Sequence, residues 1–213
     1  MGLKEKASEG IREIRDEAKV LKGEKAKDKR FVSTRTFEDE ASAQREFTRA
    51  TERLYNVNAW TKIPGIANAA FELYSPEGEP VNRQHAEKGD FVKIDLPGPL
   101  PFYWVKVIEL SSGPDHAQFT VQPAHDPTNR DDTKVTDHFF QAQARSIFRV
   151  ERNGNEISAM EIGLNEAINN KEAEAGEKRL INTLVSEGGW AGFQKYQWKN
   201  LTDYVTGLRT PSK

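Results

Sequence analysis

Between residues 68 and 165 the chain is a succession of short segments in which apolar and polar positions alternate with period two, the signature of half-buried strands. They span 68–75, with Ala69, Phe71 and Leu73 on one face; 90–96, with Val92, Ile94 and Leu96; 102–110, with Tyr103, Val105 and Val107; and 117–122, with Phe119 and Val121. A last pair covers 139–151 and 156–165, and SPEGEP and SSGPD supply turns between earlier strands. Upstream, RFVSTRTF (30–37) is β-branched and aromatic and predicts one more strand. The period then changes. Phe47, Ala50, Leu54 and Val57 share one face of a helix over 38–60, which opens on three acidic residues and is stopped by Pro64 and Gly65. The segment 177–208 reads as a helix interrupted at Gly188 and Gly189, with Trp190, Phe193, Gln197, Leu201, Tyr204 and Leu208 in one stripe. At the start, residues 3–28 predict a charged helix whose narrow seam is Ala7, Ile11, Ile14, Ala18 and Leu21.

The last two strands pose a question of register. The first carries Gln141, Gln143, Arg145 and Arg149 on one face and Phe140, Ala142, Ala144, Phe148 and Val150 on the other. A two-residue turn at Asn153-Gly154 would pair Val150 with Ile157 and set Ser146 opposite Glu161, leaving both faces mixed. A three-residue loop with Gly154 as a bulge would align Ala142, Ala144 and Ser146 with Leu164, Ile162 and Met160. Each buried Met, Ile or Leu contributes roughly 1.5–3 kcal/mol, far more than the surface ion pair of Arg145 with Glu161 that the second register also makes. Burial therefore favours the second register, with Met160, Ile162 and Leu164 inside and Glu161 outside. The small residues Ala142, Ala144 and Ser146 would then either admit the C-terminal helix closely or leave a cavity.

Composition narrows the function classes. The chain has 213 residues, with 31 basic and 33 acidic side chains, a net charge of -2 and no cysteine. Its mean hydropathy is -0.75. The balance gives no bulk attraction to nucleic acid or an anionic membrane, and the lack of cysteine removes disulfides and thiolate chemistry. No apolar run is long enough to span a bilayer, so a cytoplasmic location is expected and stable membrane insertion is not. The organisation expected is a charged helical arm over 1–29 and a domain over 30–213. The arm's seam offers a homo-oligomer contact.

The order of elements, strand, helical pair, six antiparallel strands and long C-terminal helix, together with LYNVNAWTKIPG (54–65), resembles the START-related helix-grip (SRPBCC) superfamily. That resemblance runs from about Phe31 to Leu208. It implies an α+β fold in which a curved seven-stranded antiparallel sheet wraps the last helix, with a tunnel between them. If so, the tunnel walls include Phe71, Val92, Tyr103, Val105, Phe119, Ala144, Trp190, Phe193 and Gln197. Relatives in the superfamily include lipid carriers, hormone receptors and polyketide cyclases, and fold alone does not choose among them. The connection LPGPLPF (96–102) looks like the gate loop of hormone-binding relatives, although its prolines also fit a rigid turn. The loop 124–137 is long and polar.

Chemistry is sparse. His85, His116, His125 and His138 show no zinc-ligand spacing, and no phosphate-loop, dinucleotide or nucleophile-elbow motif occurs; no cofactor or metal is expected. Glu161 would matter only in the first register, where it would face inward beside Tyr103 and serve proton transfer, as in the cyclase relatives. The expected function is a noncatalytic module binding a small hydrophobic molecule or lipid in a cavity above about 300 Å³. The alternatives are a cyclase- or isomerase-type enzyme using the same cavity, and a partner-binding protein acting through the N-terminal helix.

Overall fold

A computed structural model of the chain describes residues 27–65, 69–97, 102–129, 142–166 and 189–211. Among the described residues seven strands form one antiparallel sheet: β1 (Lys27–Thr36), β2 (Ala70–Tyr74), β3 (Phe91–Asp95), β4 (Phe102–Ser112), β5 (His116–Pro123), β6 (Arg145–Asn153) and β7 (Glu156–Glu166). Their spatial order is β1-β7-β6-β5-β4-β3-β2, so the first strand closes against the last. Two helices, α1 (Glu40–Tyr55) and α2 (Val57–Trp60), follow β1, and α3 (Gly189–Val205) ends the fold. This is the expected α+β helix-grip architecture. The charged helix predicted over 3–28 lies outside the described residues except at its end, where Lys27 and Asp28 are already strand. The helical stretch before residue 189 and the strand residues 139–141 also lie outside them.

Local chemistry explains the boundaries. Asp39 caps α1, its Oδ1 accepting from the Ser42 N–H at 2.6 Å. The buried positions of α1 include Ala43, Phe47, Ala50 and Leu54, at the alternating spacing that keeps one face on the sheet. Trp60 ends α2, 2% exposed, with its indole N–H donating to the Arg53 carbonyl at 3.0 Å. Its ring meets Phe71 edge-on at 5.4 Å and Phe148 at 5.0 Å, joining the helical pair to the sheet. Gly207, at φ 74, terminates α3; the Leu208 N–H donates to the Asp203 carbonyl at 2.8 Å, closing a left-handed cap. Leu208 is thereby turned out to 53% exposure and leaves the apolar stripe in which the sequence placed it.

The register of β6 with β7 differs from the expected one. Asn153 pairs with Glu156, Val150 with Ala159, Phe148 with Glu161 and Ser146 with Gly163. The turn is Gly154-Asn155, with Gly154 at φ 58 and no positive φ at Asn155, the combination of a II′ hairpin. It is neither of the loops considered, but it keeps the parity of the two-residue alternative. The inner face of β7 is therefore Ile157, Ala159, Glu161 and Gly163. Met160, Ile162 and Leu164 lie on the outer face, and Glu161 does not pair with Arg145, which donates instead to the Ala142 and Ala144 carbonyls.

The physical reason is that the outer face is not bare. Met160 is 4% exposed because Val32 and Arg149 flank it across the ladders and the Arg30 guanidinium sits 2.8 Å from its sulfur. Arginine stems cover apolar surface while their heads stay wet. The β6 half of the reading stands: Arg145 and Arg149 face outward, and Phe148 and Val150 are buried inside.

Candidate functional site

Between the inner face of the sheet and α3 lies a partly open cavity of about 90 Å³. Phe71 (β2), Val92 (β3), Tyr103 and Val105 (β4) and Phe119 (β5) form its sheet wall, and Phe193 and Gln197 contribute from α3. Seven of the nine residues expected at a tunnel are thus brought together. Ala144 is buried but off the wall, because β6 starts only at Arg145 and Ser146 takes the inner position beside the space. The Trp190 side chain lies outside the described residues. The space is below the roughly 300 Å³ at which drug-sized ligands are held, so the described residues leave room for a small molecule or one end of a larger one, not for a lipid.

Most of the wall is aromatic or aliphatic, but one part is polar. Gln194 and Glu166 line it, and the Gln194 amide donates to Glu166 Oε2 at 2.9 Å. The Lys29 ammonium donates to the Gln194 carbonyl oxygen at 2.6 Å. Further along α3, Gln197 accepts from the Ala69 N–H at 2.8 Å, tying the helix to the start of β2. Both glutamines are 2% exposed and lie one helical turn apart, on the face that meets the sheet.

Glu166 reaches the inside by a break in the alternation of β7. Asn165 adopts φ 53, and its N–H donates to Asp28 Oδ1 at 2.9 Å, where β1 carries an irregularity between Lys27 and Lys29. The left-handed residue turns Glu166 back over Gly163. A Cβ at position 163 would come within 2.7 Å of the Glu166 carboxyl carbon, so glycine makes the space in which that carboxylate lies.

Behind this wall sits Glu161, 0% exposed. Among the described residues neither of its carboxyl oxygens makes a hydrogen bond of ordinary geometry, although the Ser146 hydroxyl lies close enough to act on it. Burial pushes its pKa well above the ordinary carboxyl value of 4.5, and the charge of Glu166 pushes it further. The Ser146 hydroxyl and the Lys29 ammonium pull the other way without prevailing. The sequence reading put Glu161 in solvent, or else beside Tyr103; its neighbours are Ser146, Glu166 and Lys29, with Tyr103 three strands away in the sheet. Glu166, Gln194 and Lys29 were not singled out, although Gln194, four residues after Trp190 on the predicted stripe, was available as a signal.

The histidines lie apart from this region. His85 packs 5.8 Å from the Tyr55 ring, His125 stands edge-on to Phe91, and His116 opens β5; His138 is outside the described residues. Among the described residues no three His, Asp or Glu side chains gather as a metal-binding set, and no helix is long and apolar enough to cross a membrane.

A concave antiparallel sheet closed over its last helix, with an inner cavity, defines a helix-grip protein. Several solved structures are similar to this chain at low sequence identity. A hypothetical protein from Helicobacter pylori superposes with a TM-score of 0.55 at 10% identity, over 91% of this chain and 94% of that one. Norcoclaurine synthase from Thalictrum flavum, solved in complex with dopamine and hydroxybenzaldehyde, matches with a TM-score of 0.45 at 12% identity, over 87% and 88% of the two chains. A major latex-like protein from Panax ginseng matches at 0.39 and 12%, over 86% and 99%. No family model matches the chain, and no curated protein does.

Proposed function

We propose that the protein binds a small, largely apolar molecule carrying one polar group, held between the sheet and α3. The observation that carries this reading is the space between sheet and α3, lined mostly by apolar and aromatic side chains with Ser146, Glu166, Gln194 and Gln197 as polar members. Apolar walls with a few placed polar groups are how proteins hold and orient small ligands. A filled core would place an apolar side chain where the space lies, since interiors otherwise pack to crystal density.

Native mass spectrometry of the purified protein tests for a co-purifying small molecule. Xenon, followed by its NMR signal, tests the space directly, because empty apolar cavities take up xenon. The native protein should contact xenon, whereas Val105→Phe, which fills the space from β4, should lose that contact and keep its melting temperature within a few degrees. Equal xenon contact in the two proteins, with no co-purifying mass, would overturn the reading.

A further inference from the structure

We propose that the carboxyl pair Glu161–Glu166 receives the basic nitrogen of the cavity's ligand, which makes that ligand an amine. The inference rests on the binding reading above and names its ligand class. Three backbone features act together to bring the second carboxylate inside: the irregularity of β1 at Asp28, the left-handed Asn165, and the missing Cβ at Gly163. The pair adjoins a cavity whose wall includes Glu166 and Ser146, both neighbours of Glu161.

Charge bookkeeping favours a cation. Facing Glu161 are Lys29 from β1, Ser146 from β6 and Glu166 on its own strand, while Gln194 is the neutral member of the group on α3. The ammonium of Lys29 reaches Glu166 through Gln194 and also bears on Glu161, so among these named groups two carboxyls share one ammonium. Protonated, Glu161 keeps the group neutral. A buried carboxyl that makes no hydrogen bond of ordinary geometry is nevertheless disfavoured, and an ammonium supplies N–H donors that the Ser146 hydroxyl alone does not replace. Binding then replaces one positive charge by another: the Glu161 proton leaves to solvent and the ligand's ammonium takes its place, so the net charge of the site is unchanged. An amine that enters neutral takes the same proton and forms the same pair.

Isobutylamine and isobutanol, matched in size and shape, serve as probes, with xenon reporting the cavity alone. Followed by NMR titration, isobutylamine should bind at least about tenfold tighter than isobutanol, the lower end of what a desolvated charge pair contributes. Its affinity should rise with pH as Glu161 gives up its proton more readily, up to about pH 10 where an alkylamine loses its own. Glu161→Gln and Glu166→Gln should each abolish the preference and leave xenon contact intact, a control that separates loss of the acid from loss of the fold. Equal affinity for amine and alcohol with xenon still bound would overturn the amine assignment and leave the cavity reading standing. Failure of all three probes would overturn both.

Discussion

Two acids of this domain are equally buried and opposite in circumstance. Asp90, at the entry to β3, is 1% exposed, and Glu161, in the middle of β7, is 0% exposed. Asp90 is fully engaged: the Arg83 guanidinium holds one carboxyl oxygen, and the Glu87 N–H donates to the other at 2.7 Å. Its partners come from the seven residues before it, a loop free to fold around a charge. Glu161 has no such freedom. Its backbone is committed to the ladders with Phe31 and Phe148, and its side chain points where strand geometry sends it. Burial alone therefore does not tell these two acids apart; the number of partners does.

Removing Asp90 should have the largest effect. Asp90→Ala leaves Arg83 with only its 3.7 Å contact to Glu87 and frees one backbone N–H, and should lower stability by about 2–4 kcal/mol, the range for breaking a buried, hydrogen-bonded charge pair whose cation is partly wet. Urea unfolding followed by tryptophan fluorescence measures it. A loss below about 1 kcal/mol would place Asp90 with ordinary surface pairs and dissolve the contrast.

Glu161 should respond with the opposite sign. Glu161→Leu removes an unsatisfied buried group and should stabilise the protein at neutral pH by about 1–3 kcal/mol. Glu161→Gln should raise stability less, because its amide is also unpartnered. The pH dependence follows from linkage: with a pKa raised in the folded state, the native protein holds a proton that the unfolded chain has released above pH 4.5. Stability from this group is thus full below 4.5 and declines as pH rises toward the folded value. Thermal melts across that window should show the decline in the native sequence and its absence in Glu161→Gln. A destabilised Glu161→Leu would mean that Glu161 is a satisfied structural group like Asp90.

The same contrast explains what could be read from the sequence. The element order and the inner faces of β2 to β5 were legible because one apolar row faces one core, as at Phe71, Val92, Val105 and Phe119. The parity of β7 was not, because a hairpin's alternation leaves two faces to choose from and the choice rested on burying Met160, Ile162 and Leu164. Arg30, far away in sequence, shields Met160 on the outside, and no local pattern announces that. Glu166 lay past the expected end of the strand at 165; in the observed register period two would send it outward, and the left-handed Asn165 reverses that. Asp90, by contrast, finds Arg83 and Glu87 within its own loop.

The smallest effect separates the two causes of Glu161's displacement. Gly163→Ala forces the Glu166 carboxyl off its seat, breaking its bond to Gln194; since the crowded group is the end of a flexible side chain, the loss of stability should be about 1 kcal/mol. Glu161 keeps its ladder neighbours Phe31 and Phe148 in that variant and loses only the nearby negative charge. Because burial is the larger cause and Glu166 the second, its carboxyl should still titrate above 4.5, though lower than in the native protein. Carbon-13 NMR of the side-chain carboxyl measures this directly. A return to the ordinary value would make charge repulsion the dominant cause, and β7 would then hold two mutually repelling acids rather than one desolvated acid beside an ionised one.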